Sequence, residues 1–264
     1  MSVYVHELQG LQCPVPGAAF APASLGPRDN RLLAALPDDS YGALAPFLER
    51  IDMRVGSVLY ESEGPRRYVY FPVTSIVSLL YVLKNGASAE FALTGNDGVV
   101  GLSVFLSGQT ASNRAAVQTA GCGYQIRASV FRKQFERSVP LQRLLLRYAQ
   151  ALISQMAQTA VCNRHHSVYQ QFCRLLLLNL DRLPANELAM TQERIAGMLG
   201  VRRVGVTEAA GRLHADGLID YRRGLITVLD REALEKRACE CYGIVRREYD
   251  RLLLAPDRRP VGAP

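Results

Sequence analysis

Between Thr191 and His214 the sequence reads TQERIAGMLGVRRVGVTEAAGRLH, and this stretch limits the fold more than any other. Thr191 has a side-chain oxygen suited to capping a helix. Ile195, Met198 and Leu199 then share one face of a predicted helix from Gln192 to Leu199. Gly200 follows, the residue type that most readily takes the left-handed conformation after a helix. Two residues later a second helix begins, with Val206, Ala210 and Leu213 at i, i+4 and i+7 as its inward stripe. At 100° per residue, Val204, Thr207, Glu208 and Gly211 point away from that stripe, and Arg202 and Arg203 open the helix. The pattern predicts a helix-turn-helix.

The outward side chains suit a duplex groove. Arginine donates twice to guanine, glutamate accepts from cytosine, and valine or threonine touches a thymine methyl. In a helix-turn-helix the first turns of the second helix meet the base edges. Gly211 would let backbone come close to a phosphate. Leu218, Ile219 and Tyr221 lead into Arg222-Arg223-Gly224, then Leu225, Ile226, Val228 and Leu229. Two apolar strands around a basic tip predict a wing, with Arg222 and Arg223 beside phosphates. The plainer alternative is two packed helices with solvated arginines. The glycine turn, outward polar set and wing together favour the winged reading.

Upstream the texture differs. Residues 1–27 are rich in Ala, Pro and Gly and are read as a flexible tail. Helical spacing runs from Asp29 to Ile51. Short Val-, Ile-, Tyr- and Phe-rich runs then alternate with turn residues from Met53 to about Ile126. The predicted strands are Ser57–Tyr60, Tyr68–Phe71, Ile76–Leu83, Ala89–Leu93, Val99–Val104, Arg114–Thr119 and Gly123–Ile126, with Asn85-Gly86 as a hairpin turn. That spacing implies a small sandwich or barrel.

Helical spacing returns from Ser129 to Asn163. Leu145, Ala149, Leu152, Met156 and Thr159 recur at steps of 4, 3, 4 and 3, the period of a coiled-coil seam. No charge occurs from Tyr148 to Asn163. A helix without a charged face is covered on more than one side, by its own β-domain and by a second copy of the chain. The alternative is a helix wholly internal to a monomer.

Composition enters by exclusion. The 264 residues carry 31 Lys+Arg and 24 Asp+Glu, a formal charge of +7, with 48% hydrophobic residues. That balance fits a globular protein and permits acidic partners without naming one. The longest uncharged stretch, Leu8 to Pro27, is broken by four prolines, so no membrane span is expected. No signal peptide is visible. Six cysteines, at 13, 122, 162, 173, 239 and 241, form no regular framework and are expected as free thiols in a reducing cytoplasm. The four histidines are His6, His165, His166 and His214. The β-region has none, so it cannot build the histidine metal site of a cupin enzyme. No Ser-His-Asp set, P-loop or GxGxxG appears, and no enzymatic activity is expected. Cys239 and Cys241 are read as lying in one helix, where residues two apart diverge by about 200°. On that reading one metal does not take both, His165-His166 is a structural hinge, and no metal site is predicted.

The chain at this point resembles the Crp/Fnr family of bacterial transcription regulators. The resemblance rests on Thr191-Gln192-Glu193, Ile195-Ala196, Leu199-Gly200-Val201-Arg202-Arg203, Val206-Thr207 and Gly217-Leu218-Ile219. In the β-region it rests on Val69-Tyr70-Phe71-Pro72 and Gly98-Val99-Val100-Gly101. It implies an α+β chain: an N-terminal β-roll (a double-stranded β-helix of the cyclic-nucleotide-binding type), a long dimerisation helix and a C-terminal winged helix-turn-helix. The corresponding boundaries are 1–27, 28–140, 141–165 and 166–264. It also implies a homodimer on a near-palindromic DNA site, contact with RNA polymerase and a small-molecule effector. By the same resemblance Arg203, Val204, Thr207 and Glu208 face bases and phosphates.

The ligand positions depart from the family pattern. Cyclic-AMP-binding members carry Gly-Glu-x-Gly and, later, Arg followed by Ser or Thr. Here Val99 stands in the Glu place, Val100 follows it, and Arg114 is followed by Ala115. Each lost hydrogen-bond partner costs about 1–3 kcal/mol, so cyclic AMP is not the expected ligand and the effector is unknown. Arg114 is expected either to hold another anion or to pair with an acid such as Glu90 or Asp97. The cysteine cluster of the iron–sulfur members is absent, and a haem has no histidine in the β-region to bind. The competing function is a small-ligand signalling module acting through protein contacts.

Overall fold

The computed structural model describes residues 25–254 except 85, 87 and 107–111. The predicted tail therefore lies outside the described residues up to position 24. Residues 25–27 do not belong to it. Tyr124 donates its hydroxyl to the Leu25 carbonyl at 2.9 Å, and Pro27–Asp29 form a 3-10 turn.

Two short helices follow, α1 (Arg31–Ala34) and α2 (Asp38–Leu44). Asn30 caps α1 by accepting from the Leu32 and Leu33 amides. Its amide donates to the Pro72 and Gly98 carbonyls, which ties the helix to the β-region. Leu32, Leu33 and Leu44 point into the core.

Among the described residues the β-region has seven strands: β1 (Glu49–Met53), β2 (Val58–Tyr60), β3 (Tyr68–Pro72), β4 (Ile76–Val82), β5 (Ser88–Thr94), β6 (Arg114–Thr119) and β7 (Gly121–Arg127). They form a three-stranded sheet in the order β1-β7-β3 and a four-stranded sheet in the order β2-β6-β4-β5. All pairings are antiparallel. The sheets bury apolar side chains in two clusters: Tyr70, Val77 and Val117 meet in one, while Val69, Phe71, Ile76 and Ile126 join the core shared with the helices.

Two expectations differ from the structure. Helical spacing was expected through Ile51, but residues 49–51 begin β1. Val99–Val104 is not a strand. Only Val100 bridges, to Tyr70, and Ser103–Leu106 is a helical turn, α3. Gly98 precedes it because Tyr148 of the long helix packs where a Cβ would sit. The helical run expected from Ser129 forms as two helices. Ala128–Arg137 is α4 and Val139–His165 is α5. Ser138 separates them and caps α5, accepting from the Leu141 amide at 3.3 Å, with proline in the first turn.

Helix α6 (Val168–Leu180) follows a capping box in which Ser167 and Gln170 exchange hydrogen bonds. Nearly the whole helix is buried. The chain then makes β8 (Glu187–Ala189), α7 (Gln192–Leu199), α8 (Arg203–Ala215), β9 (Ile219–Arg222), β10 (Leu225–Val228), α9 (Arg231–Arg237) and α10 (Glu240–Tyr249). The sheet of this half runs β8-β10-β9; β8 was not anticipated from sequence.

The two halves are docked. Helix α7 packs on β5. Arg182 pairs with Asp97 at 2.7 Å, both side chains at most 12% exposed. Gln118 of β6 donates to Asn179 of α6, and Gln155 of α5 donates to the Leu93 carbonyl. A buried ion pair in a polar network fixes orientation more than it adds stability.

Candidate nucleic-acid interface and effector region

The helix pair forms as its sequence dictates. Thr191 Oγ1 accepts from the Arg194 amide at 3.3 Å and caps α7. Gly200 ends that helix at φ 67°, ψ 30°, in the left-handed region. Ile195 and Leu199 of α7 and Val206, Ala209, Ala210 and Leu213 of α8 close a common core with Leu218, Ile219 and Ile226.

Everything assigned to the interface from sequence is on the outside. Thr191, Arg202, Arg203, Val204, Thr207, Glu208, Gly211, Arg222 and Arg223 are all exposed. Val204 is 56% exposed. The structure also brings these residues together. Thr207 of α8 donates to the Gln192 side chain at the start of α7, at 2.7 Å. The Met190 amide donates to the Gly224 carbonyl at the wing tip, at 2.6 Å. Thr191 lies against Gly224. The cap of α7, the outer face of α8 and the wing tip therefore share one side of the domain.

The wing is a two-residue hairpin. Leu225 pairs with Arg222, and Arg223 and Gly224 have φ of 51° and 79°. Positive φ at both central positions is the turn that matches strand twist. Arg223 holds this conformation although a side chain with Cβ disfavours it. Arg222 is paired with Asp220 at 2.9 Å yet its side chain is 82% exposed.

The β-region contrasts with this. Val99, Val100 and Ala115 are fully buried. Val100 and Ala115 sit in one apolar cluster with Tyr70, Val77 and Val117, while Val99 belongs to the main core. Arg114 is apart from them, 23% exposed, and its Nε donates to Glu61 Oε2 at 2.7 Å. Its partner is thus neither Glu90 nor Asp97. Asp97 belongs to Arg182. Glu90 is buried, hydrogen-bonded to Ser78 and faced by Arg194, Arg174 and Arg182, and burial pushes its carboxyl up to about 7. A cavity of 170 Å³ lies elsewhere, between α1, the β5–α3 loop and α10, with Arg31, Asp97, Arg182, Arg246 and Tyr249 in its wall.

Three residues of the predicted seam are buried within the single chain. Leu145, Ala149 and Leu152 are at most 7% exposed within a single chain, and Leu152 and Met156 pack on the β-region cluster. That row covers the chain's own β-sheet. The exposed apolar row of α5 is Leu146 (54%), Ile153 (53%), Ala157, Ala160 and Val161 (46%). Leu146, Ile153, Ala157 and Ala160 recur at steps of 7, 4 and 3. Thr159 is only partly buried and donates to the Gln155 carbonyl.

Among the described residues no helix is long and apolar enough to cross a membrane. Residues 170–237 match the family described as Crp-like helix-turn-helix domain. No curated protein is a close enough sequence relative to count as a match. Solved structures with the same fold include FixK2 from Bradyrhizobium japonicum, 20% identical with a TM-score of 0.61, over 73% of this chain and 98% of that one. TTHA1359, a Crp/Fnr-family transcriptional regulator from Thermus thermophilus, is 20% identical with a TM-score of 0.58, over 72% and 98%. The c-di-GMP-responsive global regulator CLP of Xanthomonas campestris is 14% identical with a TM-score of 0.58, over 74% and 100%. Residues 170–237 are accordingly a Crp-like helix-turn-helix domain, set in a chain that has the fold of the Crp/Fnr transcription regulators.

Proposed function

We propose that the chain is a homodimeric, sequence-specific DNA-binding transcription regulator that works in the cytoplasm without catalysing a reaction. The observation that carries this reading is the single exposed face formed by the Thr191 cap, the outer side of α8 and the wing tip. In this reading Arg203, Val204, Thr207 and Glu208 enter the major groove, and Arg202, Arg222, Arg223 and the Gly211 backbone meet phosphates. Two copies join through Leu146, Ile153, Ala157, Ala160 and Val161 of α5. Their α8 helices then meet successive major grooves, about one helical turn apart, on a near-palindromic site. RNA polymerase is the expected protein partner.

Val99, Val100 and Ala115 are buried apolar side chains without the hydrogen-bonding groups a cyclic nucleotide needs, and Arg114 donates to Glu61. An effector would act by shifting the docking of α7 on β5, which sets the spacing of the two reading heads. Selection of bound duplexes from a random pool tests the function. Enrichment of a two-fold symmetric motif is expected, and a pool that stays random refutes it.

A further inference from the structure

Four donor side chains outside the DNA-reading face converge where the long helix meets the C-terminal helices. They are Cys162, His166, Cys239 and Cys241, and one ligand atom from each lies within 4.8 Å of all the others. Cys162 is in the last turns of α5, and His166 is the residue that ends it. The i, i+4 spacing puts both on one side of the helix end. Cys239 is not inside a helix. It is the N-cap of α10, with φ −76° and ψ 163°, and Cys241 is the second residue of that helix. The helical divergence expected between the two cysteines therefore does not apply, and both thiols turn into the same cluster. The three cysteines are at most 4% exposed and the His166 side chain 13%.

We infer that Cys162, His166, Cys239 and Cys241 form a closed Cys3His site for a single tetrahedral metal ion of the zinc class. Bond lengths of about 2.3 Å to sulfur and about 2.0–2.1 Å to nitrogen require S···S near roughly 3.8 Å and S···N near roughly 3.5 Å. Cys162 Sγ and Cys239 Sγ are 3.5 Å apart, and Cys241 Sγ and His166 Nδ1 are 3.6 Å apart. An iron–sulfur cluster would need donors on different irons to stand further apart than a single ion allows. His166 Nε2 faces Glu240 Oε2 at 3.3 Å. A carboxylate on the second ring nitrogen is the partner that fixes a metal-binding imidazole and raises its basicity. Three thiolates, a neutral imidazole and a divalent ion leave one net negative charge. The buried Arg174 of α6, anchored to Thr159 at 2.8 Å, carries a positive charge on the helix that follows His166. Binding releases the thiol protons to solvent, with no oxidant or reductant involved.

Four protein ligands leave no open position, so the ion is structural. It ties residues 162–166 to a segment about 75 positions later in the chain, across the hinge that carries the helix-turn-helix. Occupancy then sets the angle between α5 and the DNA-reading domain, a consequence that rests on the proposed function.

The test uses the full chain, reduced, stripped with a chelator and titrated with Zn²⁺ or Co²⁺. One ion per protomer is expected, and the cobalt form should show thiolate charge transfer with tetrahedral d–d bands. Cys241→Ser and His166→Ala should lose that ion, while Cys122→Ser in the β-region keeps it. His166→Cys should retain one ion with stronger charge transfer, which separates lost ligation from lost folding. Glu240→Gln should weaken affinity about 10- to 100-fold. Metal removal should lower affinity for a selected duplex about 5- to 150-fold, the usual range of coupling between sites. Absence of stoichiometric uptake by the folded, reduced chain overturns the site. So does equal uptake by the Cys241→Ser and His166→Ala variants, or a Cys162–Cys239 disulfide that forms in place of the ion. Metal uptake by a chain that binds no duplex supports the site and counts against the regulator.

Discussion

The two ends of this molecule treat their family-like positions in opposite ways. In the helix-turn-helix, every residue assigned to the interface is exposed, and three contacts gather them on one side. In the β-region, three of the four residues at the ligand positions are sealed in apolar clusters and the fourth is held by Glu61. A pocket that loses its polar groups to valine and alanine gains packing and ceases to recognise a polar ligand. A reading head cannot be filled in that way, because its core lies on the other face of the same helix. On the proposed reading, the DNA-facing side chains stay exposed while the ligand positions of the family are packed with apolar side chains.

The largest effect is expected where the comparison depends on dimerisation. Ile153→Glu should convert dimer to monomer in sedimentation and weaken operator binding about 10²- to 10⁴-fold, the gain that pairing two half-sites provides. An intact dimer would mean that the two copies join through a surface other than this row of α5. Next, Asp97→Ala should cost about 3–5 kcal/mol in denaturant unfolding, because it strands the buried Arg182 guanidinium. A negligible loss would mean that the two halves are not locked as described.

Glu90 gives a pH dependence. Its carboxyl titrates near 7 in the folded chain against 4.5 as the ordinary value, so the folded state binds the proton more tightly. Stability from this group is therefore highest below about pH 4.5 and is lost as pH rises through about 7. Glu90→Gln should flatten that slope, by an amount on the order of 3 kcal/mol at the alkaline end. A variant with an unchanged pH profile would place the charge in solvent.

Smaller effects probe the reading head itself. Arg203→Ala should cost about 1–3 kcal/mol at the selected site and relax specificity at one position. Arg222→Ala with Arg223→Ala should weaken all duplexes alike and lower the salt slope by about two phosphate contacts. A change in sequence preference from the wing pair would mean that the tip reads bases.

The sequence makes the helix-turn-helix legible because each of its signals is local: the Thr191 cap, the Gly200 stop, the inward stripe and the Arg223-Gly224 turn. The β-strands are legible for the same reason, except where Val99 and Val100 mimic a strand while serving as plugs. The dimer row is not legible. Helix α5 carries two apolar rows, one through Leu145 and Leu152 and one through Leu146 and Ile153, and periodicity alone cannot say which meets the chain's own sheet. The thiol cluster was obscured by assuming that Cys239 is helical. The i, i+4 pair Cys162 and His166 was the available signal, but Cys239 and Cys241 join it only through tertiary folding.

The claim on which the rest depends is that the outer face of α8 recognises duplex sequence. Fluorescence anisotropy with a selected duplex and a scrambled duplex, measured across a salt series, tests it most directly. Tighter binding to the selected duplex at every salt concentration, reduced by about 1–3 kcal/mol in Arg203→Ala, is predicted. Equal binding to both duplexes, or a preference that survives Arg203→Ala together with Thr207→Ala and Glu208→Ala, would contradict it.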